Sequence, residues 1–286
     1  MPGRLRPHPS DGSRDPHRPR RRRRRRLTGA LAVSLVPATL ALVGSAAWPG
    51  TTRAGAAAPA PLQAQLVWSK TLPGAAFRAS SPMPATLDAQ GPSVVIGSLN
   101  GSMYAFHLND GSGVAGWPVN TGHEIDSTPS ATSLDGSGVD DVFIGTGSAD
   151  TPGGDYRSYG PGGNLRWVVA AKDPNQASAA VEPTLALGDV NGTGVAATAG
   201  ALGLDAYSID AASGSVEPGW PVATNDTVFS SPSLAHLNGP GPFDVVTGGD
   251  STAGYPIQGR NTRPVPQGGV LYAFDGTGNL LWYHYF

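Results

Sequence analysis

From residue 77 onward, short apolar runs alternate with polar stretches rich in glycine and proline, and no segment carries the 3.6-residue apolar period of a helix. The runs Val94-Val95-Ile96, Val142-Phe143-Ile144, Ala196-Ala197-Thr198-Ala199 and Val245-Val246-Thr247 read as strands buried on both faces. Each follows a proline and then a glycine: Pro82 and Gly91, Pro129 and Gly138, Pro183 and Gly194, Pro232 and Gly241, spaced 9, 9, 11 and 9 residues apart. Tyr104-Ala-Phe106, Tyr207-Ser-Ile209 and Tyr272-Ala-Phe274 mark a third strand in units one, three and four, and unit two has no clean copy. Trp68, Trp117, Trp167, Trp220 and Trp282 recur at intervals of 49, 50, 53 and 62 residues.

A strand-only repeat of this length predicts an all-β chain of four-stranded antiparallel blades. The units span 77–119, 125–169, 181–222 and 229–285, preceded by an orphan strand over 65–72. One such unit cannot bury both of its faces, so the units are expected to stack around an axis as a β-propeller. The periodic Trp and Tyr side chains are then inter-blade packing residues. Four blades and one orphan strand make an incomplete ring. The chain is therefore expected to be a piece of a longer propeller, with pairing of two copies through the open blade faces as the alternative.

The order Ser-Ser/Thr-Pro, Asp-Gly-x-Gly-x-x-Asp, apolar run to Gly, Tyr-Ala-Phe, Gly-Trp-Pro-Val resembles FG-GAP/VCBS-type repeats. The stretch Gly269-Val-Leu-Tyr-Ala-Phe-Asp-Gly-Thr-Gly-Asn-Leu-Leu-Trp282 also resembles the quinoprotein-dehydrogenase-like (PQQ) blade motif. The resemblance covers about 64–286. It implies a propeller, commonly extracellular, with calcium in the loop between the first two strands on one face and ligands on the other. It does not imply an activity, because propellers host many.

Composition agrees: 40 Gly, 27 Pro and 14% charged residues suit a turn-rich β domain. With no cysteine, a disulfide framework and a Cys-ligated zinc are excluded. The arginine block at 20–26, the apolar run at 27–43 and Ser45-Ala46-Ala47 predict a secretory signal over 1–47 with a long basic n-region. An uncleaved anchor is the alternative. Residues 48–63, rich in Ala and Pro, are a flexible linker. Beyond residue 56 only seven basic residues face 19 acidic ones, a net of −12, which argues against nucleic acid as partner.

Candidate chemistry centres on the loop from Ser133 to Asp141. Ser133, Asp135, Ser137 and Asp141 hold relative positions 1, 3, 5 and 9, with Gly138 at 6, the oxygen layout a hard cation requires. Asp189, Asn191 and Thr193 repeat it in unit three, where Ala197 replaces the ninth-position carboxylate. Units one and four are poorer still. Calcium, if held, is weak, since the carboxylates are fewer than in the family pattern; the competing reading is a metal-free Asx-turn loop.

No Gly-x-Ser-x-Gly elbow occurs, and Gly111-Ser-Gly113-Val-Ala-Gly116 precedes Trp-Pro rather than a helix, so it is a turn and not a dinucleotide loop. His123, Glu124 and Asp126 share one inter-blade connection. Unit two inserts 146–162, and unit four 249–268, between the second and third strands, on the face that also carries the inter-blade connections. Long loops on a rigid scaffold commonly carry binding. The reading is a secreted, non-catalytic module that binds an extracellular protein or carbohydrate. The alternative is part of a larger secreted hydrolase, lyase or quinoprotein.

Overall fold

The computed structural model describes residues 64–151, 153–172, 178–260 and 264–286. The expected signal over 1–47 and the linker over 48–63 lie outside the described residues.

Among the described residues there are strands and no α-helix. Blade one is β1 (Met83–Asp88), β2 (Gly91–Gly97), β3 (Ser102–His107) and β4 (Val119–Asn120). Blade two is β5 (Ser130–Thr132), β6 (Asp141–Gly145), β7 (Asp155–Tyr159) and β8 (Leu165–Ala170). Blade three comprises β9 (Ala186–Gly188), β10 (Ala196–Gly200), β11 (Asp205–Asp210) and β12 (Val222–Ala223). Blade four comprises β13 (Ser233–Ala235), β14 (Asp244–Asp250), β15 (Gly269–Phe274) and β16 (Leu280–Tyr285).

Each blade is a four-stranded sheet with its strands in chain order, all pairs antiparallel. The first strands neighbour one another, β1 beside β5, β5 beside β9 and β9 beside β13, so they line a common axis. That arrangement is an arc of propeller blades, and it is not closed into a ring.

The core lies between blades rather than within them. One buried cluster joins Val95, Met103 and Trp117 of blade one to Val142, Ile144 and Tyr159 of blade two. A second joins Phe143, Tyr156 and Trp167 to Leu185, Tyr207 and Ile209. A third joins Val190, Ala196 and Trp220 to Val245, Tyr272 and Phe274. A sheet apolar on both faces can satisfy itself only in this way.

Backbone hydrogen bonds stitch the blades together. Ile125, Val181 and Val228, on the inbound connections, donate their N–H to the carbonyls of Ser98, Thr146 and Ala201 in the preceding blade, at 3.2, 2.8 and 3.2 Å. Their side chains fill the space over Gly97, Gly145 and Gly200, where any Cβ would collide with them. Those three glycines are required by close approach, not by backbone angle.

The register corrects the phase of unit three. Met83, Ser130, Ala186 and Ser233 are each paired with the residue two before the glycine that closes the second strand's apolar run. The residues ahead of them are Pro82, Pro129, Leu185 and Pro232, so Leu185 and not Pro183 holds the repeated position. In unit two the Tyr position of the third strand is taken by Arg157, opposite Ile144, and the Phe position by Tyr159, opposite Val142.

The expected orphan strand over 65–72 does not form a strand. A fourth strand needs the third strand of its own blade, and among the described residues none stands beside it. Its Trp68 nonetheless takes the inter-blade place: the indole donates to Leu108 O at 2.9 Å, while Lys70 Nζ lies 4.6 Å over the Phe106 ring.

Candidate functional site

On the face carrying the inter-blade connections, Asp126 and Glu182 directly follow the stitching residues Ile125 and Val181, and Arg78 lies on the lead-in to blade one. Arg78 Nε donates to Asp126 Oδ1 at 3.1 Å, and a second, short contact joins its terminal nitrogen to Asp126 Oδ2. Its other nitrogen reaches Asp150 Oδ2, on the inserted loop of blade two, at 2.6 Å. The side chain of Asp126 is 2% exposed, whereas Arg78 is 46% and Asp150 71% exposed. The group is therefore anchored below and open above.

Glu182 accepts a hydrogen bond from Ala149 N on the same loop. Burial pushes its pKa up, Asp126 and Asp150 add to the effect, and Arg78 opposes it. The Arg78 guanidinium is held charged by its hydrogen bonds to Asp126 first and Asp150 second. The group thus combines one half-exposed cation with three carboxylates, suited to hydrogen-bonding a polar or cationic group.

Of the three residues on the connection, His123 and Glu124 are half-buried and Asp126 is buried. Glu124 ties the inserted loop down: Ser148 Oγ donates to Glu124 Oε2 at 2.6 Å, and Gly147 N to Glu124 O at 2.7 Å. In blade four, Asp226 does the same for the second long loop, accepting from Thr252 Oγ1 at 2.6 Å and Ala253 N at 2.7 Å. Sequence reading found Asp126 and both loops but missed Arg78, Asp150 and Glu182. The signal for Glu182 was present but misaligned, because Pro183 was matched to Pro129.

The loops considered for calcium lie on the opposite face. Asp135 is exposed; its Oδ1 accepts from Ser137 N at 2.9 Å and from Ser133 Oγ at 3.3 Å. The Ser137 bonds hold the Asp135 carboxyl below its usual pKa. Ser133 Oγ also accepts from Gly138 N. Asp141, nearly buried, points to Arg166 at 2.6 Å; burial raises its pKa and Arg166 opposes the rise.

In unit three, Asp189 Oδ1 caps Gly192 N at 2.6 Å, and Asn191 Oδ1 accepts from Thr193 N and Oγ1 at 2.9 and 2.6 Å. Among the described residues, no three His, Cys, Asp or Glu side chains are grouped as a metal site. The side chains fit hydrogen-bonded turns. A calcium ion would have to draw Asp135 from the Ser137 N–H and Asp141 from Arg166. Between these loops of blades three and four lies a polar cavity of about 300 Å³, bordered by Asn191, Asn238, Asp244 and Asp275.

No protein-family model and no curated protein matches the sequence. Among solved structures, the chain is similar to the C-terminal domain of Pseudomonas aeruginosa PilY1, at 18% identity and a TM-score of 0.49, covering 70% of this chain and 51% of that one. It is similar to the V. cholerae biofilm matrix protein Bap1, at 17% identity and a TM-score of 0.42, over 76% of this chain and 41% of that one. It is also similar to the quinohemoprotein alcohol dehydrogenase from Comamonas testosteroni, at 14% identity and a TM-score of 0.47, over 68% and 34%. The chain thus spans about a third to a half of these three. The fold assignment rests on its own four sheets, and the FG-GAP/VCBS and PQQ likenesses rest on the repeated motifs.

Proposed function

We propose that this chain is an exported, non-catalytic propeller module that binds an extracellular protein or carbohydrate through its long-loop face. The observation that carries the reading is the group Arg78, Asp126, Asp150 and Glu182. Asp126 is buried and Glu182 half-buried, both held in place by hydrogen bonds, and Arg78 and Asp150 are offered to solvent beside an inserted loop. Such pre-organisation lowers the ordering cost of binding. Export draws on the signal pattern of 1–47. Weak calcium in the loop of Asp135 and Asp141 belongs to the same proposal, on the opposite face.

The test is a direct binding screen of the full chain on arrays of oligosaccharides and of purified extracellular proteins. A ligand found there is expected to lose about tenfold or more in affinity with Arg78→Ala combined with Asp150→Ala. Asp135→Ala, on the far face, should leave affinity unchanged. Equal binding by all three proteins would refute the loop-face reading. A second reading, a propeller within a larger secreted hydrolase, lyase or quinoprotein, draws on the uncovered face of blade four described below.

A further inference from the structure

The same interface is built three times, and among the described residues its two halves recur at the two ends of the arc without a neighbouring blade. In each interface, a stitching side chain sits over the terminal glycine of the preceding blade's second strand: Ile125 over Gly97, Val181 over Gly145, Val228 over Gly200. Blade four ends its apolar run on Gly248, and there the place is open. A Cβ at Gly248 would meet nothing nearer than Ser230 Oγ at 3.2 Å, then Val270 O and Leu271 Cδ1. A cavity of about 220 Å³ lies at this point, bordered by Phe229, Ser230, Gly248, Gly249 and Asp250.

The matching plug is at the other end. Leu99 N donates to Ala76 O at 2.9 Å, the bond that Gly147 N makes to Glu124 O and Asp250 N to Thr227 O. Phe77 therefore holds the position of Ile125 and Val228, and it is 45% exposed. Beside the plug, Arg78 would meet Phe229, which is 46% exposed, as it meets Asp126 within the chain.

The tryptophans tell the same story. Trp117, Trp167 and Trp220 are 8, 8 and 7% exposed beneath the next blade, whereas Trp282 is 41% exposed. The carbonyl that stands in its series at the other end is Leu108 O, now held by the half-buried Trp68.

We propose that a second copy of this chain docks head to tail, with Phe77 of one copy entering the Gly248 socket of the other. Trp282 then replaces Trp68 on the carbonyl of Leu108, and residues 65–70 swing away as a displaceable cap. Two four-blade arcs give eight blades, within the range in which propellers close, so both ends of both copies are satisfied. The net acidity beyond residue 56 opposes the pairing, so added salt strengthens it.

The experiment is sedimentation of the full chain up to about 100 µM, with two variants and their mixture. Phe77→Asp spoils the plug and leaves the socket. Gly248→Leu fills the socket and leaves the plug; among the described residues its Cβ would meet no atom of another blade, and only the Ser230 side chain, at 3.2 Å, must give way. Wild type is expected to sediment as a dimer that salt tightens. Each variant should be a monomer with unchanged circular dichroism and thermal transition, and the mixture should regain a dimer through its one intact interface. A wild-type monomer at the highest concentration overturns the proposal and leaves the socket to a further blade. A dimer that neither variant weakens overturns it as well.

Discussion

The indole N–H of Trp117 donates to the backbone carbonyl of Pro161, 44 residues on and in the next blade, at 2.9 Å. Trp167 makes the same bond to Ala211 O at 2.9 Å, and Trp220 to Gly276 O at 3.1 Å. Every acceptor lies two residues past one third-strand position, that of Phe106, Tyr159, Ile209 or Phe274. The tryptophan is thus both the apolar mass between blades and the donor that fixes their offset.

Trp167→Ala should therefore cost about 3–5 kcal/mol, as deletion of a buried large aromatic does. Trp282→Ala, on the exposed end, should cost about 0.5 kcal/mol in dilute monomer. Guanidinium titrations of the two variants give the comparison. Equal losses would show that blade four is covered in solution.

The pH dependence of stability has one clear contributor in Asp205, at the start of β11. Burial raises its pKa, against the opposing charge of Lys172. A carboxyl whose folded pKa exceeds its unfolded value contributes stability that is present below the unfolded pKa and is lost as pH rises through the folded one. Asp205→Asn should thus stabilise the protein relative to wild type at about pH 7, and this gain should vanish below about pH 4. Urea midpoints at the two pH values decide it.

For calcium, the ion pair of Asp141 with Arg166 is the obstacle. Arg166→Ala frees that carboxylate and should tighten calcium binding severalfold from the roughly millimolar class. Asp135→Ala should abolish it. Calorimetry showing identical heats for wild type and both variants would remove calcium from this loop.

The sequence by itself determined the strand content, the four units, the tight loops and the periodic tryptophans. These follow from local patterns: apolar runs closed by glycine specify strands, and a recurring motif specifies a recurring unit. Units one, two and four keep their proline at one phase, and the sheet register keeps it too.

Tertiary structure alone decided the rest. In unit three the proline stands two residues early, at Pro183, and only strand pairing shows that Leu185 holds the repeated position. The contact of Arg78 with Asp126 spans 48 residues, and no local pattern within one unit encodes it. It arises because blade stacking brings successive connections to one axis, where residues at equal phase meet. The strand expected over 65–72 did not form for the converse reason. Its pattern is that of a strand, but hydrogen bonds complete a strand only when a neighbouring strand is present.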